Sequence, residues 1–337
     1  MAELTPLLPW QQALWSKQMA ARSRLHHAIL LHGRRGSGKL EFARTLAKAL
    51  LCETPTVENL PCGKCVACNW FEQGSHPDFR QISPESASQA ELDDKSGEKK
   101  SSKFINVAEV RELKEFVMLS THRNGSRVVL IHPAESMNTQ AANALLKTLE
   151  EPSPNTFFIL VSHQTQHLLA TIRSRCQKVG MPLPDKEQAG LWLRQQGVAA
   201  PEMILSQAGY MPFEALRLSD EAYQQRRRGL LDQLSRPLDM NPLAVAENLK
   251  DENLTWILDW LQKWTYDLIA SRLSGRIQFQ ADYAQTLQVL AKTASLAKLL
   301  SFQRELISLQ RVVNHPLNPQ LLLEQLFLDY IRLEWNR

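Results

Sequence analysis

Apolar positions follow two rhythms along this chain. In the first half, short unbroken apolar runs alternate with stretches of helical period. Leu14 to Ala28 is helix-like, Ile29-Leu30-Leu31 reads as a buried strand, and Glu41 to Leu50 returns to helical spacing. The alternation recurs downstream: a helical stretch from Asn106 to Leu119, a turn over Arg123-Asn124-Gly125-Ser126, and a strand from Val128 to Ile131. A helix then runs from Thr139 to Glu150, stopped by Pro152, and a strand follows from Thr156 to Val161. Strands that are apolar almost throughout and separated by helices predict a parallel sheet covered on both faces. Beyond Gly180 the strand signal stops. Lys186 to Gln196 and Ala200 to Leu218 read as short helices, and amphipathic helices continue from Glu221, including Leu254 to Leu273, Ser295 to Val313 and Pro319 to Trp335. Asn318-Pro319 is a helix start, with Asn as the cap and Pro at the first helical position.

Composition bounds this picture. A chain of 337 residues exceeds one ordinary core and divides into two or three domains. With 44% hydrophobic and 22% charged residues it is a folded, soluble type. The formal charge of +4 falls short of a dedicated nucleic-acid-binding balance. The start of the chain has no basic region leading into an apolar core, and no apolar run reaches a membrane-spanning length, so the expected compartment is the cytosol. From Pro84 to Lys103 the residues turn to Ser, Glu, Asp and Lys, which cannot bury enough surface to order themselves, and residues 84–103 are expected to form a mobile surface loop.

Four of the five cysteines crowd into 17 residues: Cys52, Cys62, Cys65 and Cys68. In a cytosolic protein this spacing, with the knuckle-like turn Pro61-Cys62-Gly63-Lys64-Cys65, reads as metal binding before disulfides. Four thiolates suit zinc and leave no coordination position open, so the ion is expected to be structural, in a module over about residues 52–76.

Between the first strand and the Glu41 helix lies Gly33-Arg34-Arg35-Gly36-Ser37-Gly38-Lys39, a phosphate-binding loop in the strand, loop and helix order that lets backbone N–H groups face phosphate. Leu40 stands where the motif requires a hydroxyl for Mg²⁺. The second half of the nucleotide chemistry departs as well, since the run Val128 to Ile131 leads into His132-Pro133 where a P-loop ATPase places a metal-binding Asp and a Glu that activates water. Gly33, Gly36, Gly38 and Lys39 keep the groups for binding nucleotide or phosphate.

Asn143-Ala144-Leu145-Leu146-Lys147-Thr148-Leu149-Glu150-Glu151-Pro152, the triplet Ser174-Arg175-Cys176, the four-cysteine insertion after the P-loop helix and Gly74-Ser75-His76-Pro77-Asp78 together resemble the clamp-loader branch of the AAA+ proteins, which serves bacterial DNA polymerase III. The resemblance covers the first 180 residues, and the helical tail agrees in length. It implies an α/β AAA+ P-loop domain over residues 1–179, a helical lid over 180–219 and an all-α collar over 220–337. Departures from the catalytic (gamma and tau) subunits point to the branch's non-hydrolysing side: Leu40, His132-Pro133, and Gly209-Tyr210-Met211-Pro212, which carries Pro where a γ-phosphate-sensing Arg belongs. ATP hydrolysis by this chain is not expected. The resemblance also implies that Arg175 projects into the ATP site of a neighbouring subunit, with Ser174 orienting its loop and Cys176 buried. A guanidinium suits that task, being planar, always charged and able to pair with phosphate oxygens. The implied partners are the gamma and tau ATPases, a clamp-opening delta subunit, and, through the assembly, a sliding clamp and primed DNA.

Other residues carry plainer readings. His76 and Asp78 brace a turn beside the cysteine module, and His132, with Glu135 displaced from the position of a catalytic glutamate, belongs to a filled, inactive site. Ser162 stands where catalytic relatives keep a polar sensor, and Arg226-Arg227-Arg228 is read first as a solvated face. Two other classes compete: an active loader ATPase, detectable by turnover of the chain alone, and a zinc-dependent DNA-binding protein on a relic fold, detectable by salt-sensitive binding.

Overall fold

A computed structural model describes residues 7–20, 22–84, 104–119, 121–122, 125–312, 318–333 and 335. The stretch read as a mobile loop, except Pro84, and Arg123-Asn124 of the expected turn lie outside the described residues. The chain divides into two compact units, Met1–Gln188 and Ala189–Arg337. Among the described residues no helix is long and apolar enough to cross a membrane.

The first unit is built on a sheet of five parallel strands: β1 (Ala28–His32), β2 (Phe79–Ile82), β3 (Arg127–Ile131), β4 (Thr156–Ser162) and β5 (Gln177–Gly180), in the order β2-β3-β4-β1-β5. Alternate residues of the central strands serve two cores. Ala28, Leu30, Val129, Ile131, Phe158 and Leu160 pack on one face, under α4 (Val107–Met118), α5 (Thr139–Glu150) and α6 (Ala170–Arg175). Ile29, Leu31, Val128, Leu130, Ile159 and Val161 pack on the other, under α1 (Gln12–Met19) and α2 (Lys39–Leu51). Burial on both faces is why these strands read as unbroken apolar runs. This is the α/β arrangement expected of an AAA+ P-loop module.

Caps fix where the helices begin. Asn106 closes a capping box with Glu109 at the head of α4, and the Asn138 side chain accepts from the Ala141 N–H at the head of α5 (2.8 Å). The helix expected over Leu14 to Ala28 ends at Met19; a short 3₁₀ turn at Arg22–Arg24 follows, and Ala28 is already in β1, paired with Phe158. The helix α3 (Val66–Glu72) lies inside the cysteine module, and its Glu72 pairs with Lys48 of α2, a lysine only 1% exposed. That contact ties the module to the helix that begins at the P-loop.

The second unit is helical, as expected. It holds α7 (Lys186–Gln195, which spans the boundary), α8 (Pro201–Gln207), α9 (Pro212–Leu218), α10 (Glu221–Leu234), α11 (Pro242–Leu249), α12 (Leu254–Ser274), α13 (Ala284–Thr293), α14 (Leu296–Val312) and α15 (Pro319–Ile331). The single helical stretch read over Ala200 to Leu218 is broken in two, because Gly209 (φ 60°) and Tyr210 (φ 66°) are left-handed and Pro212 opens a new helix. Asn318 caps α15 with Pro319 in its first turn, as its sequence predicts. Trp260 and Trp264 of α12 are buried and donate to the hydroxyls of Tyr223 (2.7 Å) and Tyr330 (2.9 Å). The helices on either side of residue 219 share one unit: Gln224 of α10 donates to the Gln207 side chain of α8 (2.8 Å).

One buried ion pair pins the entry to the sheet. Arg127 at the start of β3 meets Asp78, the residue before β2, at 3.2 Å, with side chains 3% and 7% exposed, and Asp78 also accepts the His122 N–H at 3.0 Å. Removing one member of such a pair leaves a buried charge without its counter-ion. Asp78→Ala is expected to lower stability by about 3 kcal/mol, read as a fall in the urea midpoint of the full chain. A loss under about 1 kcal/mol would mean that the Val117 and Leu119 carbonyls, which Arg127 also donates to, hold it unaided.

Candidate functional site

In a parallel sheet the loops after each strand collect at the carboxyl edge, where ligands of open α/β sheets bind. Here β1 runs into the Gly33–Lys39 loop, β3 into His132, β4 ends at Ser162, and Met181 follows β5. The register sets His32 opposite both Ser162 and Gly180, so these groups share one level.

The P-loop has the backbone its sequence implies. Gly33, Gly36 and Gly38 all take positive φ (151°, 78° and 86°), and Gly38 is the left-handed cap from which α2 starts. A Cβ at Gly33 would reach van der Waals contact with the Met181 Cβ at 3.4 Å, so it is the positive φ rather than crowding that favours glycine there. The segment before α1 covers the loop: Gln11 Nε2 donates to the Gly38 carbonyl (2.8 Å) and Trp10 Nε1 to the Ser37 carbonyl (3.4 Å). Nothing in the sequence marks Trp10 or Gln11 for this role. Lys39 is 2% exposed and turns back on its own loop, donating to the Arg34 carbonyl at 2.6 Å. Burial pulls its ammonium down to about 8, against the opposing pull of Glu135 and Glu41. Leu40 packs against the core shared with α2, so the Mg²⁺-ligand position is spent on packing.

Around this loop lie buried polar atoms without partners: Ser37 Oγ, Ser162 Oγ, His163 Nδ1 and Glu135 Oε2. The other oxygen of Glu135 accepts the His163 N–H at 2.9 Å, which turns this carboxylate toward the end of β4. His132 and His163 meet edge to face at 5.3 Å. Burial, reinforced by Arg44, Lys39 and Arg35, lowers His132 to about 4; burial, reinforced by Lys39, His132 and Arg35, lowers His163 to about 3. Both imidazoles are therefore neutral at physiological pH; His132 follows β3, where a P-loop ATPase places its acidic pair, and His163 follows β4. The partnership of His132 with His163 is a tertiary fact that the sequence alone does not signal.

Arg175 lies at the other edge of the sheet. It ends α6 just before β5, whose Gln177 pairs with Ile29 near the start of β1, whereas the P-loop follows the last residue of β1. Strands rise about 3.3 Å per residue, so roughly 13 Å separate the level of Gln177 from that of Gly33. The guanidinium is half-buried and held on three sides. Nε (2.6 Å) and Nη2 both donate to Glu150 Oε1, and Nη1 donates to the Thr171 carbonyl (2.9 Å) and to Ser174 Oγ (3.5 Å). Ser174 itself donates to the Thr171 carbonyl at 3.0 Å. Cys176 is buried, and burial pushes its thiol up to about 11, which suits packing rather than nucleophilic chemistry.

The sulfurs of Cys52, Cys62, Cys65 and Cys68 lie within 4.8 Å of one another, the one group of this kind among the described residues. Cys52–Cys65 and Cys62–Cys68 sulfur separations are both 3.9 Å. A tetrahedral zinc with bonds near 2.3 Å sets its sulfurs about 3.8 Å apart, so the donors fit such an ion. Backbone N–H groups of Cys62, Lys64, Cys65 and Cys68 point at cysteine sulfurs at 3.3 to 3.4 Å, an arrangement that favours thiolates. His76 stands outside the cluster, edge-on to Trp70 of α3 at 6.0 Å, and its Nδ1 accepts the Asp78 N–H. The Arg226–Arg228 run is already engaged: Arg226 pairs with Glu252, Arg227 is buried on Asp282 and Gln280, and Arg228 donates to the Gln224 carbonyl.

A family profile described as "DNA polymerase III, delta subunit" matches residues 11–184, and a second, "DNA polymerase III, delta subunit, C terminal", matches residues 221–332. The DNA polymerase III subunit delta' of Pseudomonas aeruginosa is 36% identical over 340 residues, covering 98% of this chain and 99% of that protein. The subunit delta' of Haemophilus influenzae is 32% identical over 269 residues, 77% of each chain. Among solved structures, a DNA polymerase III gamma subunit-related protein from Thermotoga maritima aligns with a TM-score of 0.44 at 18% identity, over 95% of this chain and 99% of that one.

The neutral histidines set a pH dependence. Their folded values, about 4 and about 3, lie below the unfolded value near 6.5, so the unfolded chain takes up protons first as pH falls. Stability from this pair is complete above pH ~6.5 and declines as pH drops toward the folded values. Between pH 7.5 and 5 the loss is expected to be on the order of 1–2 kcal/mol per imidazole. Urea midpoints of wild type and of the His132→Gln/His163→Gln double variant at the two pH values read it: the variant's decline should be shallower, and equal slopes would assign the decline to other groups.

Proposed function

This chain belongs to the delta-prime family of DNA polymerase III subunits, and from that premise we propose that it is the rigid, non-hydrolysing member of a sliding-clamp loader and lends Arg175 to the ATP site of a neighbouring subunit. The observation that carries this reading is the separation of Arg175 from the chain's own P-loop, at opposite edges of one sheet. An arginine so placed serves no phosphate bound to its own loop and is free to face another chain's. Supplied in trans, such a group contributes roughly 10³ to 10⁵ in rate to phosphoryl transfer.

The P-loop supports the non-hydrolysing half. Leu40 supplies no metal ligand, His132-Pro133 supplies no water-activating carboxylate, and Pro212 stands at the head of α9 where the resemblance asks for a sensing arginine. Each departure touches a different requirement: metal ligation, water activation and coupling of nucleotide to domain closure. Gly33, Gly36, Gly38 and Lys39 keep a cradle for nucleotide or phosphate, without turnover.

In this reading residues 180–219 act as the lid and 220–337 as the collar, which holds the ring with gamma and tau ATPase subunits and a clamp-opening delta subunit. The assembly places a sliding clamp on primed DNA in the cytoplasm, and DNA contact belongs to the assembly rather than to Arg226–Arg228, of which Arg226 and Arg227 are already ion-paired and Arg228 donates to the Gln224 carbonyl. Cys52, Cys62, Cys65 and Cys68 hold a structural zinc ion.

In a loader reconstituted with wild-type partners, on clamp and primed DNA, Arg175→Ala is expected to lower ATP turnover roughly tenfold or more at equal assembly. Unchanged turnover would reduce Arg175 to a surface ion pair. The purified chain alone should show no turnover, and a rate that co-purifies with it and vanishes in Lys39→Ala would restore the active-ATPase reading. Elemental analysis should find about one zinc per chain, and a strong chelator should open residues 52–76 to proteolysis; a metal-free, equally protected chain would remove the zinc assignment.

A further inference from the structure

The contact that holds Arg175 has a consequence for its neighbour's chemistry. A phosphate oxygen pairs best with a guanidinium along a two-donor edge. On Arg175 the Nε and Nη2 edge is taken by a single oxygen, Glu150 Oε1, while Nη1 rests on the Thr171 carbonyl and Ser174 Oγ. Glu150 is the last residue of α5 and its side chain is 46% exposed, against 31% for Arg175, so an incoming chain can reach the pair. The carboxylate sits at the carboxyl end of a helix, next to Glu151, where a negative charge is disfavoured and gains from its cation.

Resting on the trans-arginine reading above, we infer that Glu150 is a positioning residue that holds Arg175 as a charge-neutralised latch, released when the polyphosphate of a neighbouring site displaces the Glu150 carboxylate. The Thr171 and Ser174 contacts keep the guanidinium aimed while its two-donor edge changes partner. The carboxylate opposes nucleotide binding twice, by occupying that edge and by repelling phosphate, and it leaves the chemical step alone once displaced. Exposed ion pairs are weak, so the latch sets a threshold of a few-fold rather than a block.

The test is steady-state ATP turnover of the reconstituted loader on clamp and primed DNA, with this chain as wild type, Glu150→Gln, Arg175→Ala and the double variant. Gln keeps the shape and one acceptor and removes the charge. Glu150→Gln is expected to lower KM for ATP roughly two- to fivefold with kcat unchanged, and to leave KM unchanged in the Arg175→Ala background. An unchanged or raised KM in Glu150→Gln, or an equal fall in KM without Arg175, overturns the latch. If Arg175→Ala itself leaves turnover unchanged, the trans-arginine reading fails and the latch with it, so the two failures are told apart. Equal thermal unfolding of wild type and Glu150→Gln guards against a folding defect in this exposed pair.

Discussion

The parallel pairing of β1 with β4 and β5 is the constraint on which the rest of the first unit depends. Because all strands run one way, their carboxyl ends gather the P-loop, His132, Ser162 and Met181 at one edge, and the segments entering the strands gather at the other. The Gly33–Lys39 loop and the Arg175 guanidinium are thereby kept apart, one at each edge of the sheet. The pairing is strong where it must be. Leu30 and Leu31 of β1 are fully buried, and so are their partners Leu160 and Val161, so a register slip would strip apolar side chains from both cores at once.

At the positions where the P-loop pattern of an ATPase calls for catalytic groups, this chain carries other side chains. Leu40 joins the core, His132 meets His163 edge to face, and Lys39 settles on a carbonyl of its own loop. Each substitution satisfies packing or hydrogen bonding locally, yet Ser37, Ser162 and Glu135 keep buried oxygens without partners. Leaving such atoms unpaired is costly, and native sites that do so are generally sites that water or a ligand completes. Beside these atoms Gly33, Gly36 and Gly38, all at positive φ, hold the backbone shape of a phosphate-binding loop.

How much was legible follows from burial. The strands Ile29 to Leu31, Val128 to Ile131 and Thr156 to Val161 are central, covered on both faces, and announce themselves as apolar runs. The edge strands β2 and β5 do not: Phe79-Arg80-Gln81-Ile82 has no fully buried residue and Gln177-Lys178-Val179-Gly180 has one, so pairing with a neighbour, not composition, makes them strands. The break within Ala200 to Leu218 was written in Gly209 and Pro212, whose joint occurrence marks a turn. The four cysteines were legible as a candidate site because they lie close in sequence. Glu150 and Arg175 are 25 residues apart, and only packing of α5 against α6 joins them. Arg226, Arg227 and Arg228 are chemically identical in the sequence, yet Arg227 is 1% exposed and its two neighbours are exposed, a distinction that helix phase on α10 makes and composition cannot.

The cysteine module gains a mechanical sense from its attachment. The helix α2 begins at the P-loop and ends at Cys52, the first of the four sulfurs, so one rod joins the two features. Lys48, buried one turn before that end, pairs with Glu72 of α3, giving the module a second hold on the same rod. An ion drawn to four thiolates would fix the chain after α2 to the start of α3 and so hold the Glu72 side of the pair in place. For a short insertion with little apolar core of its own, coordination of such an ion would replace burial as the source of rigidity. Under the proposed function such stiffness matters, because the same sheet that α2 packs against has Arg175 at its far edge, and an arginine proposed to meet phosphate on another chain is useful only as far as its own body holds still.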